Sequence, residues 1–233
     1  MENIEREELI KNFAEQQMAL MKQIELVPYN NQITLISGVD LAYWSDGDIE
    51  YAVCCIVTID FNTKEVVEKK HHFGQIVLPY VAGYLSFREL PLILETYNLL
   101  EKKPDIVIFD GNGYLHYRHM GIATHASFYL NCPTIGVAKS YLKIENVDYI
   151  MPNNNAGDYT DIIINNEIYG RALRTHSNVK PIFVSAGNKI DLDSSTRIIL
   201  ALIAPNSYQP IPVRLADIET RKLRIEVTTN ETR

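Results

Sequence analysis

Apolar residues in the first two dozen positions recur near helical spacing, at Ile4, Leu9, Ile10, Phe13, Met18, Leu20 and Met21. The spacing predicts an amphipathic helix over residues 4–22, with packing as its role. After Pro28 and the Asn30-Asn31 turn the period shortens. Residues 33–43, 50–60 and 65–75 are rich in Val, Ile, Thr and Tyr and are separated by Ser45-Asp46-Gly47-Asp48 and Asn62-Thr63, which reads as an antiparallel meander. A helical stretch at 86–102 leads into DIVIFD, a continuous apolar run of the kind found in strands buried on both faces. A Gly-rich loop, a helix near 120–131, a second buried run PTIGVAK, and PIFVSAG with a helix from 191 follow, so strand and helix alternate through this half. MPNNNAGDYTD at 151–161 reads as an exposed excursion. No repeat or break in composition divides residues 1–233, so a single domain is expected. Its fold class is α/β: a mixed sheet of three antiparallel strands joined to parallel ones, with helices on both sides.

With 233 residues, 46% hydrophobic and 22% charged, the chain can bury a sizeable core, and disorder is excluded as its main state. Its apolar runs stop well short of the roughly 18–20 residues that span a membrane. The start, MENIEREELIKNF, is acidic and amphipathic instead of basic then apolar, so a soluble cytoplasmic protein is expected. Cys54, Cys55 and Cys132 cannot all pair, and the neighbours at 54 and 55 would point to opposite faces of a strand. A reducing compartment fits and a zinc cluster does not. The formal charge of −7 argues against coating nucleic acid through a broad basic surface, but the charge is segregated. Glu2, Glu5, Glu7 and Glu8 fall in the first helix, Arg214, Arg221, Lys222 and Arg224 near the carboxyl end, and His116, Arg118 and His119 in one central loop.

Two aspartates stand where carboxylates are depleted. Asp40 closes ITLISGVD and Asp110 closes DIVIFD, and a strand carboxylate needs something to satisfy it. Strand ends of an open α/β sheet face the crevice where ligands bind. Asp110 before Gly111-Asn112-Gly113 suits either chemistry or an ordinary turn, whereas Leu41-Ala42-Tyr43-Trp44 continues the strand past Asp40, where no turn needs a carboxylate. Ser86-Phe87-Arg88-Glu89 fits a capping box, so Glu89 by itself reads first as a helix cap. The preceding PYVAGYLSFRE gathers aromatics beside Ala82 and Gly83, and exposed aromatics there could stack on bases. Lys139 opens a turn at the end of a buried strand. The loop GNGYLHYRHMG suits close backbone approach to a phosphate or base, and no P-loop is present. His71-His72 read as surface residues, and His125 as a hydrogen-bonded core histidine. Carboxylates converging from strand ends, with no cysteine ligand and a lysine nearby, are hard-oxygen chemistry suited to Mg²⁺ or Mn²⁺. That combination most often handles phosphate esters.

Six segments, ISGVDLAYW, PYVAGYLSFRELP, PDIVIFDGNGYLHYRHMGIATH, CPTIGVAKSYL, PIFVSAGNKIDLDSS and PIPVRLADIETR, resemble in order and spacing those of the endonuclease V family, across residues 30–225. The resemblance implies a ribonuclease-H-like fold and a Mg²⁺-dependent repair endonuclease, with Mn²⁺ as substitute. It implies recognition of deaminated bases such as deoxyinosine in DNA and nicking of the second phosphodiester on the 3′ side. By the same resemblance Asp40, Asp110 and Asp217 hold metal, Glu89 is the active-site glutamate, and Lys139 lies near the scissile phosphate. Pro79-Tyr80-Val81 matches the wedge that fills the gap left by a flipped base, with Tyr80 as the stacking residue. Gly83, Leu85, Gly111 and Ile122 match the base pocket, and His116 a histidine of the active-site loop. A monomer is expected. Departures from the family pattern fall at Ala82, Asn112, Tyr117 and Asn188. Two rival readings use the same chain: an inosine-specific ribonuclease of the same fold, and a catalytically silent nucleic-acid-binding module. The intact set Asp40, Glu89, Asp110 and Asp217 speaks against the second.

Overall fold

The computed structural model describes residues 3–230, with side chains from 6 to 229; Glu2 and the side chains of Ile4 and Glu5 lie outside the described residues. The meander forms as expected from β1 (Leu35–Asp46), β2 (Ile49–Asp60) and β3 (Val66–Gln75), each antiparallel to the next. Beside β1, β4 (Ile106–Asp110) and β5 (Thr134–Ala138) run parallel to it. Beyond β5 the expected strand–helix alternation stops. The chain instead forms a hairpin of β6 (Tyr159–Ile164) and β7 (Glu167–Leu173), then β8 (Ile182–Asn188), all pairing antiparallel. The hairpin closes through Asn165 and Asn166, both in the left-handed region with φ 51° and 66°, the conformation that two-residue hairpin turns require. The excursion read at 151–161 therefore ends where β6 begins. One eight-stranded mixed sheet results, in the order β3-β2-β1-β4-β5-β8-β7-β6.

Helices α2 (Leu85–Asn98) and α3 (Ile122–Leu130) cover one face, while α4 (Leu192–Ala201) and α5 (Ile211–Asn230) cover the other. Period-two alternation decides which side chain goes where. Cys54 packs with Ile93 and Ala126 on the first face, Cys55 with Ile199, Val213 and Ala216 on the second, as their adjacency predicts. Both are buried and unpaired, as is Cys132. Helix α1 (Asn3–Met21) forms where its periodicity places it, but among its described side chains only Phe13 and Gln17 are buried, and Met18 is 50% exposed. Among the described residues no helix is long and apolar enough to cross a membrane.

Helix α5 crosses β1 at Gly38. A Cβ there would lie 2.2 Å from the carbonyl carbon of Pro212, so only glycine admits a helix this close to the strand. That crossing sets Asp217 and Thr220 above the middle of β1.

Candidate active site

Parallel register sets Val39 beside Phe109 and Asp110 beside Val137, so Asp40 and Asp110 follow at matching levels on neighbouring strands. Lys139 comes two residues after Val137 and therefore points to the same face as Asp110. That is the α5 face, where Asp217 descends from the helix. Oxygens of Asp40, Asp110 and Asp217 lie within 4.8 Å of one another. Lys139 Nζ sits 2.6 Å from Asp110 Oδ2 and 3.3 Å from Asp217 Oδ1, and Arg221 is 2.9 Å from the same Asp217 oxygen. Thr220 Oγ1 donates to Asp40 Oδ2 at 2.6 Å.

Burial pushes the Asp40 carboxyl up to about 6; the Thr220 hydrogen bond opposes this, and the charges of Asp110 and Asp217 reinforce it. Lys139 loses solvation too, but its bonds to Asp110 and Asp217 outweigh that loss and raise its pKa. Three crowded carboxylates partly neutralised by Lys139 and Arg221 make a hard-oxygen donor set that fits Mg²⁺ or Mn²⁺.

Glu89 reaches the site from the opposite face, on α2. The expected capping box does not form: Tyr84 is the N-cap and makes no side-chain cap bond, while Ser86 Oγ pairs with His125 Nδ1 at 2.6 Å. Glu89 instead accepts a hydrogen bond from Tyr43, whose ring lies 4.9 Å from the Arg88 guanidinium carbon. The capping pattern fails because helix α2 begins one residue before Ser86, which turns Ser86 and Glu89 away from each other's backbone. Burial pushes Glu89 up to about 7, with Tyr43 opposing and the Asp40 charge adding to the rise. Glu89 is not among the three clustered carboxylates, although it feels the charges of both Asp40 and Asp110.

The raised pKa values of Asp40 and Glu89 have a stability consequence. Each group binds its proton more tightly folded than unfolded, so the stability they contribute is full below about pH 4 and is lost as pH rises through about 6 for Asp40 and about 7 for Glu89. Melting temperature of the chelator-treated protein is therefore expected to fall across that window. Added Mg²⁺ or Mn²⁺ should restore it at pH 8. A melting curve flat with pH and indifferent to metal would count against the burial and crowding of these carboxylates.

Two residues past Asp110, Asn112 enters the lining of a cavity of about 130 Å³. Gly83, Leu85, His116 and Ile122 line it, with Tyr80 at its rim, 65% exposed and not packed beneath α2. Gly111 stands behind: a Cβ there would meet Ile122 Cγ2 at 2.7 Å. Gly83 has φ +82°, which glycine alone adopts freely, and a Cβ would crowd Arg118 Nη2 at 3.2 Å. His116 is buried, and desolvation with the nearby Arg118 charge pushes it down to about 4, so it is neutral at physiological pH. Asn112 also lines the cavity, and its Oδ1 is buried without a partner.

Other expectations resolve by position. The side chains of Arg118 and His119 are turned to partners within the protein. Arg118 bonds Gln17 and Gly83, and His119 Nε2 lies 3.5 Å from Glu167. His125 is a core histidine, pushed down to about 4 by burial. His71 and His72 are exposed on β3. Asn188 pairs in register with Thr134, at the start of β5 and so at the opposite end of that strand from Lys139, where its Oδ1 accepts from the Glu25 and Lys189 amides. Sequence reasoning missed Tyr43 and Thr220. Thr220 left no local signal, but a tyrosine three residues beyond a strand carboxylate was visible.

A mixed sheet whose central strands and crossing helix bring three carboxylates and a lysine together, with a cavity opening two residues past one of them, is the architecture of a phosphodiester-handling α/β enzyme. The family model of endonuclease V matches residues 18–218. Endonuclease V of Bacillus thuringiensis subsp. konkukian is 61% identical over 228 residues, covering 96% of each chain. The crystal structure of endonuclease V from Bacillus subtilis superposes with TM-score 0.92 at 55% identity, covering 94% of both chains. Endonuclease V of Ciona intestinalis, solved with a 24mer DNA containing an inosine followed by a ribo-adenosine, superposes with TM-score 0.85 at 28% identity, covering 94% of this chain and 99% of that one. The chain belongs to the endonuclease V family.

Proposed function

We propose that the protein is a repair endonuclease that nicks DNA beside deaminated bases, deoxyinosine above all, with Mg²⁺ or in its place Mn²⁺, at the second phosphodiester on the 3′ side. The observation that carries this reading is adjacency. Asp110 of the acidic cluster and Asn112 of the cavity wall are two residues apart, so a base in the cavity keeps a nearby phosphate of its own strand at the carboxylates. The Ciona relative's inosine-containing DNA supports the same substrate class. In this reading residues 1–233 form one catalytic unit working in the cytoplasm.

Asp40, Asp110 and Asp217 hold the metal, which when bound stabilises charge on the attacking and leaving oxygens. Lys139, already drawn between two carboxylates, offsets charge on the scissile phosphate. Glu89, poised near neutrality and held by Tyr43, accepts a proton from the attacking water. Asn112 Oδ1, an acceptor with no partner, suits the N–H edge of a 6-oxopurine.

The test is nicking of matched duplexes carrying inosine or adenine, with Mg²⁺ or with chelator, alongside inosine-containing RNA. Cutting confined to the inosine strand, dependent on Mg²⁺ and mapped to the second phosphodiester, is the expected result. Equal cutting of the adenine duplex overturns the reading, and cutting of inosine RNA alone transfers it to a ribonuclease. Chemistry beside a base inside a duplex requires extrusion, which costs a few kcal/mol. An exposed Tyr80 can offset part of that by stacking worth about 1–3 kcal/mol. Tyr80→Ala is therefore expected to weaken binding to inosine duplex about tenfold more than to single-stranded inosine DNA, measured by titration under chelator. Equal losses on both substrates would mean that Tyr80 is no wedge.

A further inference from the structure

Helix α1 contributes two buried side chains among its described residues, Phe13 and Gln17, one turn apart on a single face. Phe13 anchors the helix by stacking on Phe87 of α2 with ring centres 3.9 Å apart. Gln17 is 0% exposed, and a buried carboxamide is costly unless its donors and acceptor are used. All are used, and on the walls of the base cavity. Nε2 donates to the Gly83 carbonyl at 3.2 Å and to the Met120 carbonyl at 3.4 Å; Oε1 accepts from Arg118 Nε at 2.6 Å. Gly83 belongs to the segment that carries Tyr80, and Met120 to the central loop that carries His116 and Asn112. Arg118 closes the circuit: its Nη2 donates to the same Gly83 carbonyl at 3.0 Å, and its guanidinium lies 4.4 Å from the centre of the Tyr84 ring. The turn at Gly83 sits in the left-handed region and is closed locally by the Tyr84 amide on the Val81 carbonyl, so its position depends on what grips the Gly83 oxygen from outside.

We propose that Gln17 is a positioning residue for base recognition: from α1, just ahead of the family-matched region 18–218, it sets the gap between the Tyr80 segment and the central loop. This rests on the cavity being the base site proposed above. Two variants separate the parts. Gln17→Leu removes every bond, and Gln17→Glu keeps an acceptor for Arg118 while losing both donors to the carbonyls. Losing such bonds is expected to raise KM for an inosine duplex about tenfold with kcat changed less than about twofold. Amide exchange should speed up at Tyr84, Phe87 and Gly121, and stay unchanged in β4. Wild-type KM in Gln17→Leu, or wild-type exchange at those three amides, overturns the proposal, as does a Gln17→Glu variant indistinguishable from wild type. If Gln17→Leu fails to fold, Gln17→Glu and Arg118→Met, which releases Gly83 from the other side, carry the same two readouts. A wild-type protein with no preference for inosine strikes the proposed function instead, and the exchange data still judge the strut.

Discussion

Asp110→Asn is expected to lower inosine-directed nicking by about 10³-fold or more, because in the proposed function a metal held by the three carboxylates would supply several kcal/mol to the transition state and each 1.36 kcal/mol is a factor of ten. Asp110 is placed by strand geometry: it ends β4, the neighbouring β1 carries Asp40, Lys139 follows directly on the neighbouring β5, and its Oδ2 lies 2.6 Å from Lys139 Nζ. The fold should survive, since Lys139 keeps Asp217 at 3.3 Å and the strand's apolar residues Ile106 and Ile108 remain buried. Calorimetric Mn²⁺ titration should lose the high-affinity site in step with activity. Undiminished cleavage, or Mn²⁺ bound away from Asp40, Asp110 and Asp217 in a soaked crystal, would remove the site from this cluster.

Glu89→Gln is expected to abolish most activity, about 10²–10⁴-fold, the range that a positioned acid–base group supplies, while raising the melting temperature of the metal-free protein at pH 8. The second half of that expectation is what separates chemistry from architecture. Glu89 is pushed up to about 7 by burial, so at pH 8 its ionised form costs stability that an uncharged glutamine recovers. The gain should amount to about 2–4 °C per kcal/mol for a chain of this size. Below about pH 4 the carboxyl is protonated folded and unfolded alike, and the advantage should vanish. A variant that melts lower at pH 8 and still nicks would make Glu89 a structural partner of Tyr43 and nothing more.

The meander, the two buried parallel strands and the helices were legible because burial on a regular element imposes a period, and a period is local information. Asp40 was legible for the converse reason, because it breaks the pattern of its own strand, and Lys139 because it follows directly on a buried one. The β6–β7 hairpin was not, since its strands are short and partly exposed and its first residues fall inside the segment read as an exposed excursion. The local reading of Glu89 as a helix cap failed because Ser86 and Glu89 satisfy a local pattern, whereas the true start of α2 and the partner Tyr43, 46 positions away, are set elsewhere.

Asp217 stands in a helix of mixed charge with no local mark, and only resemblance singled it out. Its place beside Asp40 follows from the crossing at Gly38, and the same crossing brings Thr220 to Asp40 across 180 positions. Gln17 reaches Gly83 and Met120 across 66 and 103. Alternation along a strand thus determined which face Asp40 and Asp110 would take, from the sequence alone. Which groups meet on that face was decided by strand register and helix crossing, because contacts between distant segments depend on how whole elements pack and leave no trace in the spacing of neighbours.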